Sequence, residues 1–368
     1  MNEFYYKGIN IKARFDHVKI TSIASVVPET KISVDLELKE IYGNDLKKIK
    51  KIKNYIGLQY RHVVNNETVI DLSQKSIEIL LKETKTDKNS IDAIIVVTQT
   101  PDYFIPTTAC CLHGKLNFPQ STLAFDINQA CAGYLYGLYV SHSMIEHGGC
   151  KKILLICGST SSKLEYDFSN QVKIRGDAAS ATLLEYTKEK NISFFDLRTD
   201  GKGFQNLIVP FGAFANPNIQ DINEPELWEA QLKDKQVYMN GLKIFNFAIQ
   251  EEPKAFEDLL HYANIKKEHL DYIFFHQANK SMVDTIIKKL QLNPSKTPNK
   301  TIEKYGNINA SSIPVTICDT LGNDNQLSNM TVCLAGFGAG LSWANAILSL
   351  DKYFNCKKTY FYKKGEIK

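Results

Sequence analysis

The sequence lacks the features that mark membrane, secreted and metal-binding proteins. No apolar run in its 368 residues approaches the roughly 20 residues that cross a bilayer. The first residues do not have the basic, apolar and small-residue regions of a signal peptide. The eight cysteines form no CxxC pair and no cysteine–histidine cluster with zinc spacing. These absences predict a cytoplasmic protein with no metal site and no membrane association.

A strong charge of one sign is also missing. The formal net charge is only +4, which is too small to indicate binding to nucleic acid. Lysines do cluster within residues 47–53 and 357–364, where a solvated surface is the first interpretation and an acidic partner the alternative. The chain has no P-loop, and Gly336–Gly340 is no dinucleotide-binding motif because no helix follows it.

What the sequence does contain is an alternation of short apolar runs and helical patterns. Unbroken Val, Ile and Leu runs are typical of strands covered on both faces. The predicted strands are Val18–Ile23, Ala93–Thr98, Leu123–Ile127, Ile153–Cys157, Ala181–Leu184, Ile192–Leu197, Tyr272–Phe275, Thr331–Ala335 and Leu341–Leu348. The predicted helices are Leu72–Glu83, Gly133–Glu146, Gly241–Leu260 and Lys280–Leu290. This alternation predicts a layered α/β architecture.

Two parts of the chain resemble each other. Asp92 and Asp271 each introduce an apolar run, and they are 179 positions apart. Leu154–Gly158 and Val332–Gly336 match at an offset of 178. Matches at nearly one offset predict a duplicated unit. We therefore expect two closely packed halves, residues 1–190 and 191–368.

Cys131 is a candidate nucleophile. It follows the strand Leu123–Ile127, precedes the helical pattern from Gly133, and has the small neighbours Ala130 and Ala132. At a helix N-terminus the dipole and the free amides favour the thiolate, so we expect a lowered pKa. The alternative, equally compatible with the spacing, is a buried structural cysteine.

Two further polar residues could donate hydrogen bonds to a developing oxyanion. His276 ends the strand Tyr272–Phe275, at the position where α/β sheets place ligand-binding groups. Asn307 lies in Tyr305–Pro314, which also fits a turn and helix cap. A core histidine and a capping asparagine are the alternatives. The glycines of Gly336–Gly340, which joins two predicted strands, would let backbone N–H groups approach a substrate.

The order of these motifs resembles the 3-ketoacyl-acyl-carrier-protein synthase III family of thiolase-like condensing enzymes. The likeness runs from about Val18 to Leu348, leaving residues 1–16 and 351–368 outside it. Further matching stretches are Asp92–Ala109, Gly176–Ala179 and Met239–Gly241. The resemblance implies a five-layer α-β-α-β-α fold of two duplicated halves, and a homodimer.

The resemblance also implies roles for individual residues. Cys131 would accept an acyl group, which a decarboxylative Claisen condensation then joins to a malonyl thioester. His276 and Asn307 would hold the thioester oxygen of the malonyl group. The backbone N–H groups of Cys131 and the Gly338–Ala339 region, beside Phe337, would form the oxyanion hole for acylation.

The implied substrates are thioesters of coenzyme A or phosphopantetheine, with no tightly bound cofactor. The implied partner is an acidic acyl carrier protein, docked on the helix after His276 with Lys280, Lys288 and Lys289. An ordinary solvated helix face is the alternative. The sequence differs from the family at the positions that bind coenzyme A. There, Lys51, Tyr55 and Ser169 replace a Trp and two Arg residues.

Three other functions are alternatives to this condensation. A related acyltransferase would move the acyl group to an amine or hydroxyl without decarboxylation. A hydroxymethylglutaryl-type synthase would need a glutamate as general base, and the loop 98–108 offers only Asp102. A non-catalytic dimer partner would usually have lost the nucleophile, which this chain retains.

Overall fold

Strands and helices alternate through the computed structural model, which describes residues 11–164, 173–217, 237–322 and 328–365. The strands are β1 (Ile11–Phe15), β2 (Val18–Pro28), β3 (Lys31–Ser33), β4 (Tyr60–His62), β5 (Ala93–Val97), β6 (Leu123–Ile127), β7 (Lys152–Ser159), β8 (Ala178–Tyr186), β9 (Ser193–Thr199), β10 (Leu207–Ile208), β11 (Tyr238–Met239), β12 (Tyr272–Phe275), β13 (Met330–Gly338), β14 (Ser342–Leu350), β15 (Asn355–Cys356) and β16 (Tyr360–Tyr362). Every predicted strand overlaps one of these.

Each of the four predicted helices overlaps a helix of the structure. The helices are α1 (Val34–Tyr42), α2 (Leu46–Ile56), α3 (Val69–Thr84), α4 (Thr108–Lys115), α5 (Gly133–Glu146), α6 (Gly241–Ala263), α7 (Lys280–Lys289), α8 (Thr301–Tyr305) and α9 (Ser312–Leu321). Within the described ranges, no helix is both long enough and apolar enough to cross a membrane.

Most of the strands belong to two large sheets. The first has the order β15-β2-β8-β7-β5-β6, with β16 also paired to β2, and the second has the order β1-β9-β14-β13-β12. Parallel pairing joins β5 to β6 and β7, and β12 to β13. All five residues of β5 are buried, as expected for a strand covered on both faces.

Helices and sheets stack in five layers. Helices α5 and α9 lie between the two sheets, α3 and α4 cover the outer face of the first sheet, and α6 and α7 cover the outer face of the second. Separate apolar clusters fill the spaces between the layers, with Phe195 and Phe274 in the central one. The predicted five-layer fold is therefore confirmed.

The two aspartates that marked the repeat make equivalent hydrogen bonds in the two halves. Asp92, before β5, accepts hydrogen bonds at Oδ2 from the backbone N–H groups of Lys151 (2.6 Å) and Lys152 (2.9 Å), where β7 begins. Asp271, before β12, accepts one at Oδ2 from Thr331 (2.8 Å) in β13. Each carboxylate thus ties the start of one parallel strand to the next.

Both ends of the chain cross between the halves. β1 pairs with β9 in the second sheet, whereas β15 and β16 pair in parallel with β2 in the first. Strands β1, β15 and β16, which lie outside the family resemblance, therefore complete the sheet of the opposite half. The predicted division at residue 190 falls in the turn between β8 and β9, and it stays a prediction.

Candidate active site

Two equivalent turns meet in the central layer. A 3-10 turn over Ala130–Ala132 leads into α5, and one over Asn309–Ser311 leads into α9. The first residue of each turn has a left-handed backbone, with φ 44° at Ala130 and 51° at Asn309. These two residues are 179 positions apart, the same offset as the two strand-entry aspartates. The turns contact each other, so the duplication sets two helix N-termini face to face.

Cys131 lies in the first turn and is 8% exposed. Its Sγ–H donates a hydrogen bond to Asn309 Oδ1 at 3.5 Å. The backbone of β13 passes close by, because a Cβ atom added to Gly338 would lie 2.7 Å from Cys131 Cβ and 3.0 Å from Sγ. Glycine at position 338 therefore makes room for the thiol.

The pKa of Cys131 differs from the expectation. Burial raises it to about 11, while the charge of Arg175 and the Cys131 backbone N–H act in the opposite direction with smaller effect. The prediction of a lowered pKa was wrong because this helix N-terminus lies in an interior layer. Removal of water disfavours the thiolate more than the neighbouring positive groups favour it.

His276 lies directly after β12 and is 1% exposed. Its Nδ1 is 2.7 Å from Ser312 Oγ, and the same oxygen accepts a bond from the Gln277 backbone N–H at 3.3 Å. Because that N–H uses the acceptor side of the hydroxyl, the hydroxyl proton is available for Nδ1, and Nε2 then carries the ring proton. Burial lowers the His276 pKa to about 4, opposed by a backbone hydrogen bond with Asn309. The imidazole is therefore neutral, as expected.

Asn307 is half-buried and held on both sides of its backbone. Its N–H donates to the Ile174 carbonyl (2.8 Å), and its own carbonyl accepts from the Gly176 N–H (3.0 Å). Side-chain Nδ2 donates to the Ala278 carbonyl at 3.3 Å, and Oδ1 accepts from the Asn309 N–H at 3.1 Å. The carboxamide orientation is fixed, and a second N–H on Nδ2 can serve an oxyanion.

Asn309, which the sequence analysis did not single out, joins the three predicted residues. Its side chain accepts from Cys131, its backbone N–H donates to Asn307, and its backbone also bonds the His276 ring. The structure thus brings Cys131, His276 and Asn307 into one cluster. The repeat offset was the available signal, because it makes Asn309 the counterpart of Ala130, the neighbour of Cys131.

The glycine-rich segment is not simply a connector. It joins β13 to β14 as expected, and β13 itself continues through Gly338. The Phe337 ring packs edge-on against His276 at 5.7 Å between centroids. Ala339 begins the turn, and its carbonyl accepts from Ser342 Oγ at 2.9 Å. Phe337 therefore supports the imidazole, while Gly338 borders the thiol.

The predicted docking lysines are on the surface, outside the cluster. Lys280 begins α7 and forms an ion pair with Asp284, while its stem packs on Gly57. Lys288 and Lys289 are exposed in the last turn of α7, and Lys289 Nζ donates to the Ile249 carbonyl at 2.9 Å.

The structure describes two of the three residues that differ from the family at its coenzyme A site. Lys51 and Tyr55 are exposed on α2, which packs beside α7. Ser169 lies outside the described residues.

A duplicated five-layer fold, with a cysteine at its first central helix and a histidine and asparagine beside it, defines the thiolase-like condensing enzymes. Residues 125–201 match the family model for 3-oxoacyl-(acyl-carrier-protein) synthase III, and residues 260–350 match its C-terminal model. The chain belongs to the 3-oxoacyl-(acyl-carrier-protein) synthase III family.

Individual relatives cover nearly the whole chain. A Campylobacter jejuni protein, assigned provisionally as 3-oxoacyl-(acyl-carrier-protein) synthase 3, is 42% identical over 96% of this chain and 99% of its own length. A beta-ketoacyl-(acyl-carrier-protein) synthase III from Streptococcus agalactiae is 34% identical over 81% of this chain and 90% of its own. The crystal structure of a Burkholderia xenovorans 3-oxoacyl-(acyl-carrier protein) synthase superposes with a TM-score of 0.87 at 32% identity, covering 96% of this chain and 99% of that one.

Proposed function

We propose that this condensing enzyme carries an acyl group on Cys131 and joins it to a malonyl thioester with the help of His276 and Asn307. The observation that supports the assignment is the cluster around Asn309, which links the sulfur to both other residues. Both the reaction and the residue roles follow the resemblance to the family.

Acylation comes first in this scheme. The Cys131 sulfur attacks the carbonyl carbon of an acyl thioester, a new C–S bond forms, and the donor's thiolate leaves. The proton that Cys131 gives up ends on that leaving thiol, so no base remains charged. A buried thiol with a raised pKa is suited to this exchange, because it stays protonated until a thioester arrives.

Condensation follows from loss of CO2. The bond between the malonyl carboxylate and its carbon breaks, and the electron pair forms an enolate. The enolate carbon attacks the acyl carbonyl, and Cys131 leaves as the thiolate, which takes up a proton from water to return to the thiol. The His276 Nε2–H would exchange its bond with the Asn309 backbone for the enolate oxygen, and the second Asn307 N–H would donate beside it. One such donor is worth about 2.7–4 kcal/mol.

The test separates acylation from condensation. We expect Cys131→Ala to lose acyl labelling in intact-mass spectrometry, and His276→Ala to keep labelling while CO2 release falls by about 10²–10³-fold. His142→Ala is the matched control, because His142 is also buried with its pKa lowered to about 4, but its hydrogen-bond partners in the described ranges are Leu138 and Ser193.

Two outcomes would contradict the assignment. Labelling that persists in Cys131→Ala would exclude Cys131 as the nucleophile. Normal CO2 release in His276→Ala would exclude His276 as a donor to the enolate. Labelling of the unmodified enzyme without any CO2 release would favour the transfer of acyl groups to an amine or hydroxyl.

We further propose that an acidic acyl carrier protein and coenzyme A thioesters bring the substrates, in the cytoplasm, and that α7 guides the carrier. Lys288 and Lys289 are exposed on that helix, and complementary charge raises association rates. We expect the double change Lys288→Glu and Lys289→Glu to raise KM for malonyl-carrier by about tenfold, with KM for malonyl-coenzyme A unchanged.

The matched control makes the same change of charge at another place on the surface. Lys188 and Lys190 are exposed in the turn between β8 and β9, and their change to Glu should leave both KM values unaltered. Equal effects of the two double variants on the carrier KM would speak for net charge alone and against docking on α7.

A homodimer is the proposed assembly. β6 is the last strand of its sheet in the described ranges, and Leu123 on it is 53% exposed. Two aromatic residues from other loops, Phe104 and Phe214, are 72% and 88% exposed with ring centroids 5.8 Å apart. An apolar sheet edge and exposed aromatic rings are features of surfaces that bind another chain.

A further inference from the structure

The Asn309 side chain spans the gap between Cys131 and Ser159. Its Oδ1 accepts from Cys131 Sγ at 3.5 Å, and its Nδ2 donates to Ser159 Oγ at 2.8 Å. Asn309 is 4% exposed and Ser159, the last residue of β7, is 2% exposed. The carboxamide therefore contacts the sulfur on one side and a single hydroxyl on the other, inside the protein.

The backbone of Asn309 is held independently of this side chain. Its N–H donates to Asn307 Oδ1 at 3.1 Å, and its left-handed conformation (φ 51°) is one that asparagine tolerates. A rotation of the carboxamide about Cβ–Cγ would leave these backbone interactions in place.

The two charge states of the sulfur need opposite ends of the carboxamide. A thiol can donate to Oδ1, whereas a thiolate can only accept and would be repelled by that oxygen. A half-turn of the amide would present Nδ2 to the sulfur and Oδ1 to Ser159. The Ser159 hydroxyl accepts in the first orientation and can donate in the second. Every polar atom keeps a partner in both orientations.

We propose that Asn309 and Ser159 form a reversible carboxamide switch that stabilises Cys131 as a thiol at rest and as a thiolate when it reacts or leaves. Asn309 is then a catalytic residue, since it touches the reacting sulfur, and Ser159 is a positioning residue. The switch rests on Cys131 being the nucleophile proposed above. It moves no proton itself, because the Cys131 proton goes to the departing thiol.

The switch also offsets an energetic cost of the site, which is the ionisation of a buried thiol. Burial opposes ionisation of the Cys131 thiol. A donor turned toward the sulfur only after the proton leaves favours the thiolate without destabilising the thiol. A fixed acceptor at the same place would favour the thiol alone.

Alkylation of Cys131 tests the switch without any acyl substrate. The measurement is the iodoacetamide rate constant for the Cys131 peptide against pH, by mass spectrometry, with exposed Cys110 as the internal reference. We expect Asn309→Asp, which replaces the donor by a carboxylate, to slow alkylation at pH 8 by at least about tenfold, one unit of pKa. Asn264→Asp is the matched control, with the same chemical change at another left-handed residue (φ 54°), at the end of α6.

A second pair of variants decides the question if Asn309→Asp does not fold. Ser159→Ala removes the hydroxyl that the turned amide requires and should slow alkylation about fivefold, the equivalent of the roughly 1 kcal/mol that a neutral hydrogen bond contributes. Ser180→Ala removes a buried hydroxyl from the adjoining strand β8 and should not slow it.

Wild-type alkylation profiles in Asn309→Asp, or equal rates in Ser159→Ala and Ser180→Ala, would overturn the switch. Failure of the proposed function gives a different result. The alkylation differences would then remain as expected, while the unmodified enzyme would take no acyl label on Cys131.

Discussion

At the residue scale, the surroundings of the Cys131 sulfur are shaped by backbone as much as by side chains. Gly338 in β13 lies against the thiol, and Gly336 lies against Leu135 of α5, where an added Cβ would come within 2.6 Å of Cδ1. These contacts let the strand and the central helix approach each other closely. The position of the sulfur thus depends on two glycines whose lack of a side chain leaves room for the thiol and for α5.

Gly338→Ala should displace the thiol. The added methyl group would lie 3.0 Å from Sγ, so either the sulfur or β13 must move. We expect the acylation rate to fall by about 10²-fold, the cost of a misplacement near 1 Å, in single-turnover labelling. Gly114→Ala in α4 is the control, because nothing lies within 4 Å of its added Cβ. An unchanged acylation rate in Gly338→Ala would mean that the sulfur position does not limit acylation.

At the element scale, the outer helix α6 buries a carboxyl group against the second sheet. Glu252 is 1% exposed, and burial raises its pKa well above the ordinary value, although the neighbouring Asn345 side chain of β14 acts in the opposite direction. Burial therefore favours the protonated form of Glu252 in the folded protein. The next residue, Pro253, is also inside the helix, so this turn of α6 departs from ordinary helix composition twice.

Glu252→Gln should remove a pH dependence from stability. The unfolded chain ionises Glu252 near pH 4.3, whereas the folded chain keeps the proton, so stability falls as the pH rises above that value. The loss is about 1.4 kcal/mol per pH unit until the folded pKa is reached. We expect Tm of the variant to exceed that of the wild type at pH 8 by more than at pH 5, in scanning calorimetry.

The adjacent Glu251 provides the control for that measurement. It is partly exposed and forms an ion pair with Lys254 at 2.7 Å. Glu251→Gln should keep the pH dependence of the wild type. A Glu252→Gln protein with the wild-type slope between pH 5 and 8 would show that the carboxyl ionises in the folded state.

At the scale of the whole molecule, the two edges of the first sheet have different surroundings. The chain's own end covers one edge, since β15 and β16 pair with β2, and Thr359 bonds both Ser25 and Asp319 at 2.9 Å. The opposite edge, β6, keeps an exposed leucine. A second copy of the chain is the partner we propose for it.

Leu123→Asp should dissociate the proposed dimer. A carboxylate at the start of this apolar edge strand would face a like charge on the second copy or lose its hydration in the interface, and either is unfavourable. We expect sedimentation velocity to give a dimer for the wild type and a monomer for the variant. Ile11→Asp is the matched control, because Ile11 is 63% exposed on β1, the edge of the other sheet. A dimer that survives Leu123→Asp would place the interface elsewhere.

The sequence predicted most of the fold for a local reason. Runs such as Leu123–Ile127 and Tyr272–Phe275 became strands with those bounds, and Gly133–Glu146 became a helix. The repeated aspartates predicted the duplication that the hydrogen bonds of Asp92 and Asp271 display. Hydrophobic periodicity depends on neighbours a few residues away, so it can be read from the chain directly.

The site was predicted less completely. The motifs supplied the cysteine, the histidine and Asn307, but not Asn309, whose importance comes from contacts with Cys131 and Ser159, far away in the chain. The pKa of Cys131 was expected to fall and instead rises, because the exclusion of water depends on every layer packed around the sulfur.

By itself, then, the sequence determined the order of strands and helices, the internal duplication and the three residue types that can perform thioester chemistry. Only the tertiary structure decided which atoms touch the sulfur, which charge state burial favours, and how the two chain ends complete opposite sheets. The physical reason is the distance along the chain over which each property is determined. Secondary structure follows from local periodicity, whereas solvation and side-chain contacts depend on segments more than 100 residues apart that only folding brings together.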